Sequence, residues 1–418
     1  MKIRTSMIAA VILTSLTGIA KADWPQFAGS DRNSMSKETG LLRSWPQAGP
    51  KVLWTFNLGE GFGGAAIRDG QVFLLDRTGA TSKTTGSDVL RCMDLTGGKE
   101  LWSYSYAAPG KTGFNGSRAV PAVTEKAVFA VGPFGDFNAI DRTTHKPLWT
   151  KTLMEPGFKM ANWGIAQSPL IYKDLVIVSP QAKAGGLAAY DQATGELKWQ
   201  AADVPSTAYC SPLLLTIGGV EQIVLTHGKG VAAVDPSTGK LLWSYGGWKC
   251  GIPIPTVTQL DDGKLFVTGG YKAGSAMIQV TANAGTFSAT ELWKIPQGSQ
   301  IHQPILVDGA LYFNGNTNDT PKEGLICLNP ADGKIIWQSG PTPALDRCDL
   351  ILADGMFYLQ DAAGNLNLVQ PNKEAFKLVS TVKLFAGKDI WAPMALTDGK
   401  LVLRDQTQMK CLDIKAAK

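Results

Sequence analysis

A turn-and-strand motif that recurs along the chain is the feature that most constrains its fold. The clearest copy, AVDPSTGKLLW, runs from Ala233 to Trp243. The Asp235 carboxylate can accept hydrogen bonds from the backbone amides of the turn, and Gly239 can take the left-handed conformation that closes it. The apolar residues on either side can then pair as an antiparallel hairpin. One copy alone predicts only a hairpin.

The spacing of the copies indicates a repeat architecture. An acid or an amide lies eight residues ahead of a tryptophan at five places, from Asp94 in the first to Asn329 in the last. Aligning Pro371 with Pro330 adds an eighth copy, in which Leu378 replaces the tryptophan. Eight hairpins with a period of 41 to 50 residues predict a closed or stacked repeat fold. We assign a structural role to seven tryptophans that end such strands: Trp54, Trp102, Trp149, Trp199, Trp243, Trp293 and Trp337.

The units between these tryptophans predict an all-β, eight-bladed β-propeller of four-stranded antiparallel blades. Each unit contains a strand, a tight turn, a second strand, a loop, a third strand ending in an acid, and the tryptophan strand. The last unit stops after three strands, whereas KVLWTFNL, residues 51–58, is a strand without a blade. We therefore predict that the ring is closed by pairing of Val52–Phe56 with Lys410–Ile414.

The first 22 residues predict a cleaved signal peptide. Lys2 and Arg4 precede an apolar run that is too short to span a bilayer, and an A-x-A cleavage site follows at residues 20–22. No cysteine precedes Cys92, so the cut offers no lipid-acceptor residue. We expect a mature protein that starts near Asp23, has no transmembrane segment, and lies in the periplasm or is secreted.

The rest of the chain divides into two parts. Residues 23–50 lack periodicity, and we expect them to form an ordered extension pinned to the ring by Trp24 and Trp45. We expect residues 51–418 to form the propeller. The net charge of +5 falls to +2 without the three basic residues of the leader, and no Lys/Arg run predicts a nucleic-acid partner. We expect a monomer.

The six cysteines carry no local metal or redox motif. Their spacing includes no C-x-x-C and no adjacent pair. Cys210 and Cys250 precede matching strands of neighbouring blades, and a disulfide between them stays open at this stage.

The repeated motif resembles that of a known family. AAYDQATGELKW and AAVDPSTGKLLW are similar to the tryptophan-docking motif of pyrroloquinoline-quinone (PQQ) propellers, and the resemblance covers Lys51 to Lys415. The family implies two functions. Quinoprotein alcohol dehydrogenases use PQQ and Ca²⁺, whereas propellers similar to BamB act as scaffolds in outer-membrane barrel assembly. The openings WPQF, RAVPAV and WGIAQSPL resemble the uncharacterised exported members most.

The resemblance to the dehydrogenases implies residues that the sequence can be checked for. It implies adjacent cysteines over the quinone, a Glu/Asn/Asp calcium site and an aspartate base, on a longer chain. Adjacent cysteines do not occur. Asp346 and Asp349, near Arg347, could mimic the base, but acidic residues at a loop mouth are usually just solvated. We therefore expect no catalytic residue, no metal and no cofactor, with PQQ and Ca²⁺ as the open alternative. The expected function is a binding or scaffold module for a protein, glycan or small-molecule ligand; the alternative is a PQQ-dependent alcohol dehydrogenase-like oxidoreductase.

The candidate ligand site lies at one mouth of the central channel. Residues just ahead of each innermost strand surround that mouth in a propeller, and three long loops (77–88, 271–285 and 314–323) are expected to extend over it. Arg118 has a donor fork suited to carboxylate or phosphate, and Trp163 has a flat apolar face. The alternative is that these groups cap strand ends and hold channel water. The predicted site residues are Asn115, Arg118, Trp163, Gln167, Tyr209, His302, Gln303, Asp346, Arg347 and Trp391.

Overall fold

The computed structural model describes residues 23–79, 84–183, 185–317, 322–345 and 347–417. Within these ranges the chain forms 33 β-strands and no α-helix. No helix in the described part of the chain is therefore long and apolar enough to cross a bilayer. The predicted signal peptide, residues 1–22, and the site candidate Asp346 lie outside the described residues.

The strands form eight four-stranded antiparallel blades, one of which gains a fifth strand. The N-terminal part contributes β1 (Met35–Ser36) and β2 (Lys51–Asn57). Blade 1 contains β3 (Ala66–Arg68), β4 (Gln71–Thr78), β5 (Ser87–Asp94) and β6 (Glu100–Ala107), and blade 2 contains β7 (Ala122–Val123), β8 (Ala127–Val131), β9 (Asp136–Asp141) and β10 (Pro147–Thr152). Blade 3 contains β11 (Leu170–Tyr172), β12 (Leu175–Val178), β13 (Leu187–Asp191) and β14 (Leu197–Ala201), and blade 4 contains β15 (Leu213–Ile217), β16 (Val220–His227), β17 (Gly230–Val234) and β18 (Leu241–Tyr245). Blade 5 contains β19 (Thr258–Asp261), β20 (Lys264–Gly269), β21 (Gly274–Asn283) and β22 (Thr286–Ile295), and blade 6 contains β23 (Ile305–Val307), β24 (Ala310–Gly315), β25 (Gly324–Leu328) and β26 (Ile335–Gln338). Blade 7 contains β27 (Asp349–Ala353), β28 (Met356–Gln360), β29 (Asn365–Val369) and β30 (Leu378–Lys383), and blade 8 contains β31 (Ala395–Thr397), β32 (Lys400–Arg404), β33 (Gln408–Asp413) and β2.

The predicted eight-bladed propeller and its closure are confirmed. β2 pairs antiparallel with β33, placing Val52 opposite Leu412 and Thr55 opposite Lys410. The N-terminal strand thus completes the blade that the C-terminus leaves one strand short. Because every blade then has its four antiparallel strands, the ring has no open gap, and the apolar core lies between the faces of neighbouring blades.

A β-bulge lies directly ahead of each tryptophan and turns it towards the next blade. In blade 4, Ala233 pairs with Trp243 and Val234 pairs with Leu241, which leaves Leu242 without a partner. Such a bulge adds twist and bends the outer strand, which also makes the exposed sheet edge a poor template for further pairing. At the seam between blades 3 and 4, Trp199 Nε1 donates to the carbonyl of Pro236 at 3.1 Å.

The eighth tryptophan position was placed wrongly by the sequence alignment. Val369 pairs with Leu378 and Leu368 pairs with Ser380, so Ser380, not Leu378, occupies the tryptophan position. The turn before β30 is two residues longer than its counterpart in blade 4, and an alignment on proline could not register that insertion. Trp45 of the N-terminal extension packs at this place instead. Its backbone amide donates to Ser380 Oγ at 3.1 Å, and its indole is buried.

The N-terminal extension crosses the ring axis. Trp24 bridges to Ile67 in blade 1, and the Arg32 guanidinium donates to the carbonyl of Pro169, beside blade 3, at 2.9 Å. On the other side of the ring, the Arg32 carbonyl accepts from Gln303 at 2.9 Å, and β1 pairs parallel with β27 of blade 7. Because blades 2 and 3 lie across the ring from blades 6 and 7, this segment closes one end of the central channel.

Two of the predicted mouth loops are corrected. Residues 274–295 form the long hairpin β21–β22 rather than a loop, and its tip lies on the face opposite the mouth. The sequence TANAGTFSAT contains a turn signal, Ala284-Gly285, flanked by residues that pair across the two strands. Arg77 and Asp88, the ends of another predicted loop, pair with each other in β4 and β5.

Candidate functional site

The ring encloses a blind axial cavity of about 290 Å³. Phe27, from the segment that crosses the axis, lines it beside residues of all eight blades or of the connections that lead into them. The lining residues are Phe27, Phe62, Phe114, Arg118, Trp163, Ala166, Ser168, Tyr209, Ser211, Ile254, Tyr271, Gln300, Ile301, His302, Arg347, Trp391 and Pro393. The segment that crosses the axis therefore lies at one end of the cavity, and the mouth where connections between blades converge lies at the other.

One part of the wall is an aromatic cluster from blades 1, 2 and 8. The rings of Phe62 and Trp391 stack with centroids 4.7 Å apart and planes 12° from parallel. Phe114 packs edge-on against Trp391 at 5.4 Å. Contacts of this kind fix the rings beyond what simple burial would do, so this part of the wall is a rigid apolar surface.

A second aromatic cluster comes from blades 3, 4 and 5. Trp163 lies nearly parallel to Tyr271, with centroids 6.2 Å apart, and Tyr209 packs on Trp163 at 5.9 Å. Trp163 and Tyr209 occupy the connections that lead into their blades, whereas Tyr271 lies between β20 and β21. Both kinds of connection open on the same face, which explains why the three rings meet.

Two guanidinium groups supply the charge of the cavity. Arg118 donates to the carbonyls of Gly116, at 3.2 Å, and of Phe114, and lies 5.4 Å from the Phe62 ring centroid. Burial lowers the pKa of Arg118 to about 10, which leaves it charged at neutral pH. Arg347 donates to Gln300 Oε1 at 3.2 Å and lies over the Trp391 ring. The described lining residues include no carboxylate, so the cavity is electropositive.

His302 is held between two acceptors. Its Nδ1 lies 2.9 Å from Asp349 Oδ1, and its Nε2 lies 3.2 Å from the carbonyl of Trp391. Both neighbouring atoms are oxygens that can accept a hydrogen bond from the ring. Asp349 also accepts from the Met394 amide at 2.6 Å and is buried behind the cavity wall. Asp349 therefore fixes His302 and the Trp391 backbone, and it does not face the cavity as a base would.

Six of the predicted site residues line the cavity. Three others that the structure describes lie near the cavity but do not line it. The six are Arg118, Trp163, Tyr209, His302, Arg347 and Trp391. Gln167 is buried and bonds to the Ser179 backbone, and Gln303 donates to the Arg32 carbonyl. Asn115 donates to Glu60 outside the cavity. That the six bind a ligand stays a prediction.

Several lining residues were missed by sequence reasoning. Phe62 is the last residue of the opening GEGF of blade 1, the same position in the repeat that identified the other mouth residues, so that rule could have found it. Tyr271 lies in a turn with φ +55°. The local sequence gives no signal of this left-handed conformation. Phe27 reaches the cavity only because its segment crosses the axis.

The donor groups present do not fit a calcium-bound quinone. No group of three or more His, Cys, Asp or Glu side chains is arranged as a metal site in the described ranges. The six cysteines are free and buried. Calcium requires several oxygen ligands, chiefly carboxylates, and the described wall offers guanidinium and imidazole instead. The two guanidinium groups, of Arg118 and Arg347, fit the carboxylates of a flat acid better than they fit a metal ion.

Comparisons with known proteins match this architecture. A family model described as outer membrane protein assembly factor BamB matches residues 85–339. A curated relative, the dehydrogenase subunit of a quinone-dependent alcohol dehydrogenase from Gluconacetobacter polyoxogenes, is 27% identical over 169 residues. That match covers 37% of this chain and 22% of the relative, so the chain spans about a fifth of the relative's length.

Solved structures of both kinds of protein share the fold. Quinohemoprotein alcohol dehydrogenase from Comamonas testosteroni aligns with a TM-score of 0.67 and 13% identity, covering 95% of this chain and 81% of its own. BamB from Moraxella catarrhalis aligns with a TM-score of 0.59 and 14% identity, covering 87% and 99%. Likeness at these identities shows the fold, and function has to be argued from the site.

Proposed function

This chain belongs to the family described as outer membrane protein assembly factor BamB, and we propose that it is an exported binding propeller that holds an anionic ligand in its axial cavity. The name of the family and the predicted leader at residues 1–22 both favour a place in the periplasm. The ligand belongs to a protein partner, a glycan or a small molecule, and its binding involves no redox chemistry.

The observation that carries this proposal is a blind, electropositive cavity with aromatic walls. Arg118 and Arg347 present fixed cations to a space that has no carboxylate among its described lining residues. A guanidinium binds a carboxylate or phosphate through two parallel hydrogen bonds, and the low dielectric of a blind cavity strengthens that contact. The aromatic rings add flat apolar faces, so an anion with a flat or apolar body fits best.

A quinoprotein oxidoreductase is the second candidate. The quinone-dependent alcohol dehydrogenase relative and the dehydrogenase fold favour it, and two arginines beside Trp163 and Trp391 suit a flat polycarboxylate. The absorption spectrum of the purified protein, recorded after addition of PQQ and Ca²⁺ and combined with an alcohol assay on an artificial electron acceptor, separates the two candidates. A bound quinone chromophore with alcohol-dependent turnover would replace our proposal.

The binding proposal is tested by titration calorimetry with aromatic carboxylic acids, using their neutral amides as the matched ligand control. The acids are expected to bind and the amides to bind weakly or not at all. Arg118→Gln removes one guanidinium, and a charged hydrogen bond of about 1.5–3 kcal/mol corresponds to a loss of roughly 10- to 150-fold in affinity. Trp163→Ala removes a stacking surface and should weaken binding too.

Arg43→Gln is the matched protein control. Arg43 is an exposed arginine that pairs with Asp354 on the face opposite the mouth, and its substitution should leave binding unchanged. If Arg118→Gln and Trp163→Ala fold normally and bind every ligand as the wild type does, the axial cavity is not the binding site.

A further inference from the structure

The connections that carry the cavity aromatics also carry exposed lysines. Four exposed lysines, here called the lysine collar, each lie within four residues of a lining aromatic residue: Lys111 near Phe114, Lys159 near Trp163, Lys272 beside Tyr271 and Lys388 near Trp391. They come from the connections into blades 2, 3 and 8 and from the β20–β21 turn of blade 5. Both kinds of connection open at the mouth, so the collar surrounds the entrance of the cavity.

Most acids near the collar bond to other groups. Within four residues of its lysines the described sequence contains only Glu155 and Asp389. The Glu155 carboxylate accepts a hydrogen bond from the Lys183 backbone amide at 2.6 Å. None of the four collar lysines makes an ion pair with a described residue. In space, the Asp405 carboxylate lies beside Gly387 but accepts from the Thr407 and Gln408 amides. The Glu323 carboxylate bonds to Thr317, whose carbonyl accepts from the Lys272 amide. The ammonium groups of the collar are therefore not paired with these acids.

The closed end of the cavity limits what can enter. Phe27 and the segment that crosses the axis lie at one end of the cavity, so a polymer that enters from the mouth does so by its terminal unit. Units that follow would lie outside, over the collar. A ligand that contacts both the cavity and the collar must carry a negative charge on its terminal unit and further negative charges on the units that follow.

We propose, on the basis of the proposed function, that the ligand is the end of an acidic polysaccharide. The terminal sugar acid would lie in the cavity with its carboxylate on Arg118 or Arg347, and the collar would bind the carboxylates of the following units. Sugar rings have apolar faces that stack on aromatic side chains, and two aromatic clusters line this cavity. An acidic peptide is the weaker fit, because aspartate and glutamate side chains have no ring to place between those clusters.

The test uses linear uronic acid oligomers from monomer to hexamer, with neutral oligomers of equal length and oligoglutamates as alternative probes. Affinity should rise with the length of the uronate oligomer, and salt should weaken the hexamer more than the monomer, because the exposed collar is screened. Neutral oligomers and oligoglutamates should bind at least tenfold more weakly than oligouronates of the same length.

Variants separate the collar from the cavity. The double variant Lys159→Gln/Lys272→Gln should bind the monomer as the wild type does and lose about 3- to 10-fold in affinity for the hexamer, as expected for two exposed ion pairs. Arg118→Gln should weaken binding at every length. Lys334→Gln, an exposed lysine on the opposite face, is the matched control and should change nothing.

The outcomes that overturn the inference differ from those that overturn the proposed function. If aromatic acids bind in the cavity but oligouronates do not, or if affinity is independent of length, the polysaccharide inference fails and the binding function stands. If oligoglutamates bind as tightly as oligouronates, the partner is an acidic protein segment. If Arg118→Gln binds every probe as the wild type does, both proposals fail.

Discussion

At the scale of single residues, four of the seams between blades place a hairpin-turn glycine against a tryptophan of the preceding blade; these glycines are Gly98, Gly195, Gly239 and Gly333. Gly239 has φ +71°, and a Cβ atom there would overlap the ring of Trp199 from the preceding blade. The glycine is thus required twice, for its backbone conformation and for the space that the indole needs. Blade 2 has His145 at this position, with φ +60°, and its ring stacks on Trp102 with centroids 4.8 Å apart.

A pair of glycine substitutions separates the two requirements. Gly219 has φ +74° but nothing within 4 Å of its added Cβ, so Gly219→Ala should cost only the left-handed backbone strain of about 1–2 kcal/mol. Gly239→Ala should cost a further 1–3 kcal/mol or so, because it also displaces Trp199. The free energies of unfolding, measured in urea, decide this. Equal losses would mean that the Trp199 contact adds nothing.

At the scale of the elements, the N-terminal extension supplies the tryptophan that blade 7 lacks. Blade 7 has Ser380 at the tryptophan position, and Trp45 fills the space by donating its Nε1 to the Leu366 carbonyl at 3.3 Å and packing on Tyr358. The indole at the seam between blades 7 and 8 is therefore that of Trp45, which lies more than 300 residues before Ser380 in the sequence.

Trp45→Ala should destabilise the protein by about 3–5 kcal/mol, the usual cost of removing a buried indole. Trp45→Phe, which keeps an aromatic ring but loses the hydrogen bond, should cost clearly less. Thermal and urea unfolding measure both. A loss under about 1 kcal/mol for Trp45→Ala would show that the extension only covers the ring and does not replace the missing tryptophan.

At the scale of the whole molecule, the first 35 described residues have two separable tasks. Residues 23–45 cross the axis and cover one end of the channel, whereas β2 closes the ring by pairing with β33. Removal of residues 23–45 would open the cavity at the end opposite the mouth. Losing the second leaves blade 8 with three strands and an unpaired edge, which is a template for association with other chains.

Two truncations test this division. A chain that begins at residue 46 keeps β2, and it should stay monomeric with reduced stability and lose binding of the aromatic acids, because Phe27 is gone. A chain that begins at residue 59 lacks β2 and should aggregate. Size-exclusion chromatography with light scattering distinguishes them. Aggregation of both to the same extent would place the closure of the ring in residues 23–45 instead.

The candidate site was predictable only in part. The rule that residues ahead of each innermost strand surround the mouth found Arg118, Trp163 and Trp391, because that position repeats with the blades. The same rule also selected Gln167 and Gln303, which are buried in the wall. Neighbouring positions in an irregular connection point in different directions, and no sequence period specifies which one faces the axis.

The number of blades, their strand order and the closure by β2 and β33 were determined by the sequence itself. They follow from turn residues and apolar strands that act over a few residues and recur at a fixed period, so local chemistry suffices. The path of residues 23–45, the use of Trp45 in blade 7 and the closed end of the cavity were decided only by the tertiary structure. These contacts join residues that are distant in sequence, and they depend on which surfaces the finished ring leaves uncovered, a property that no segment carries alone.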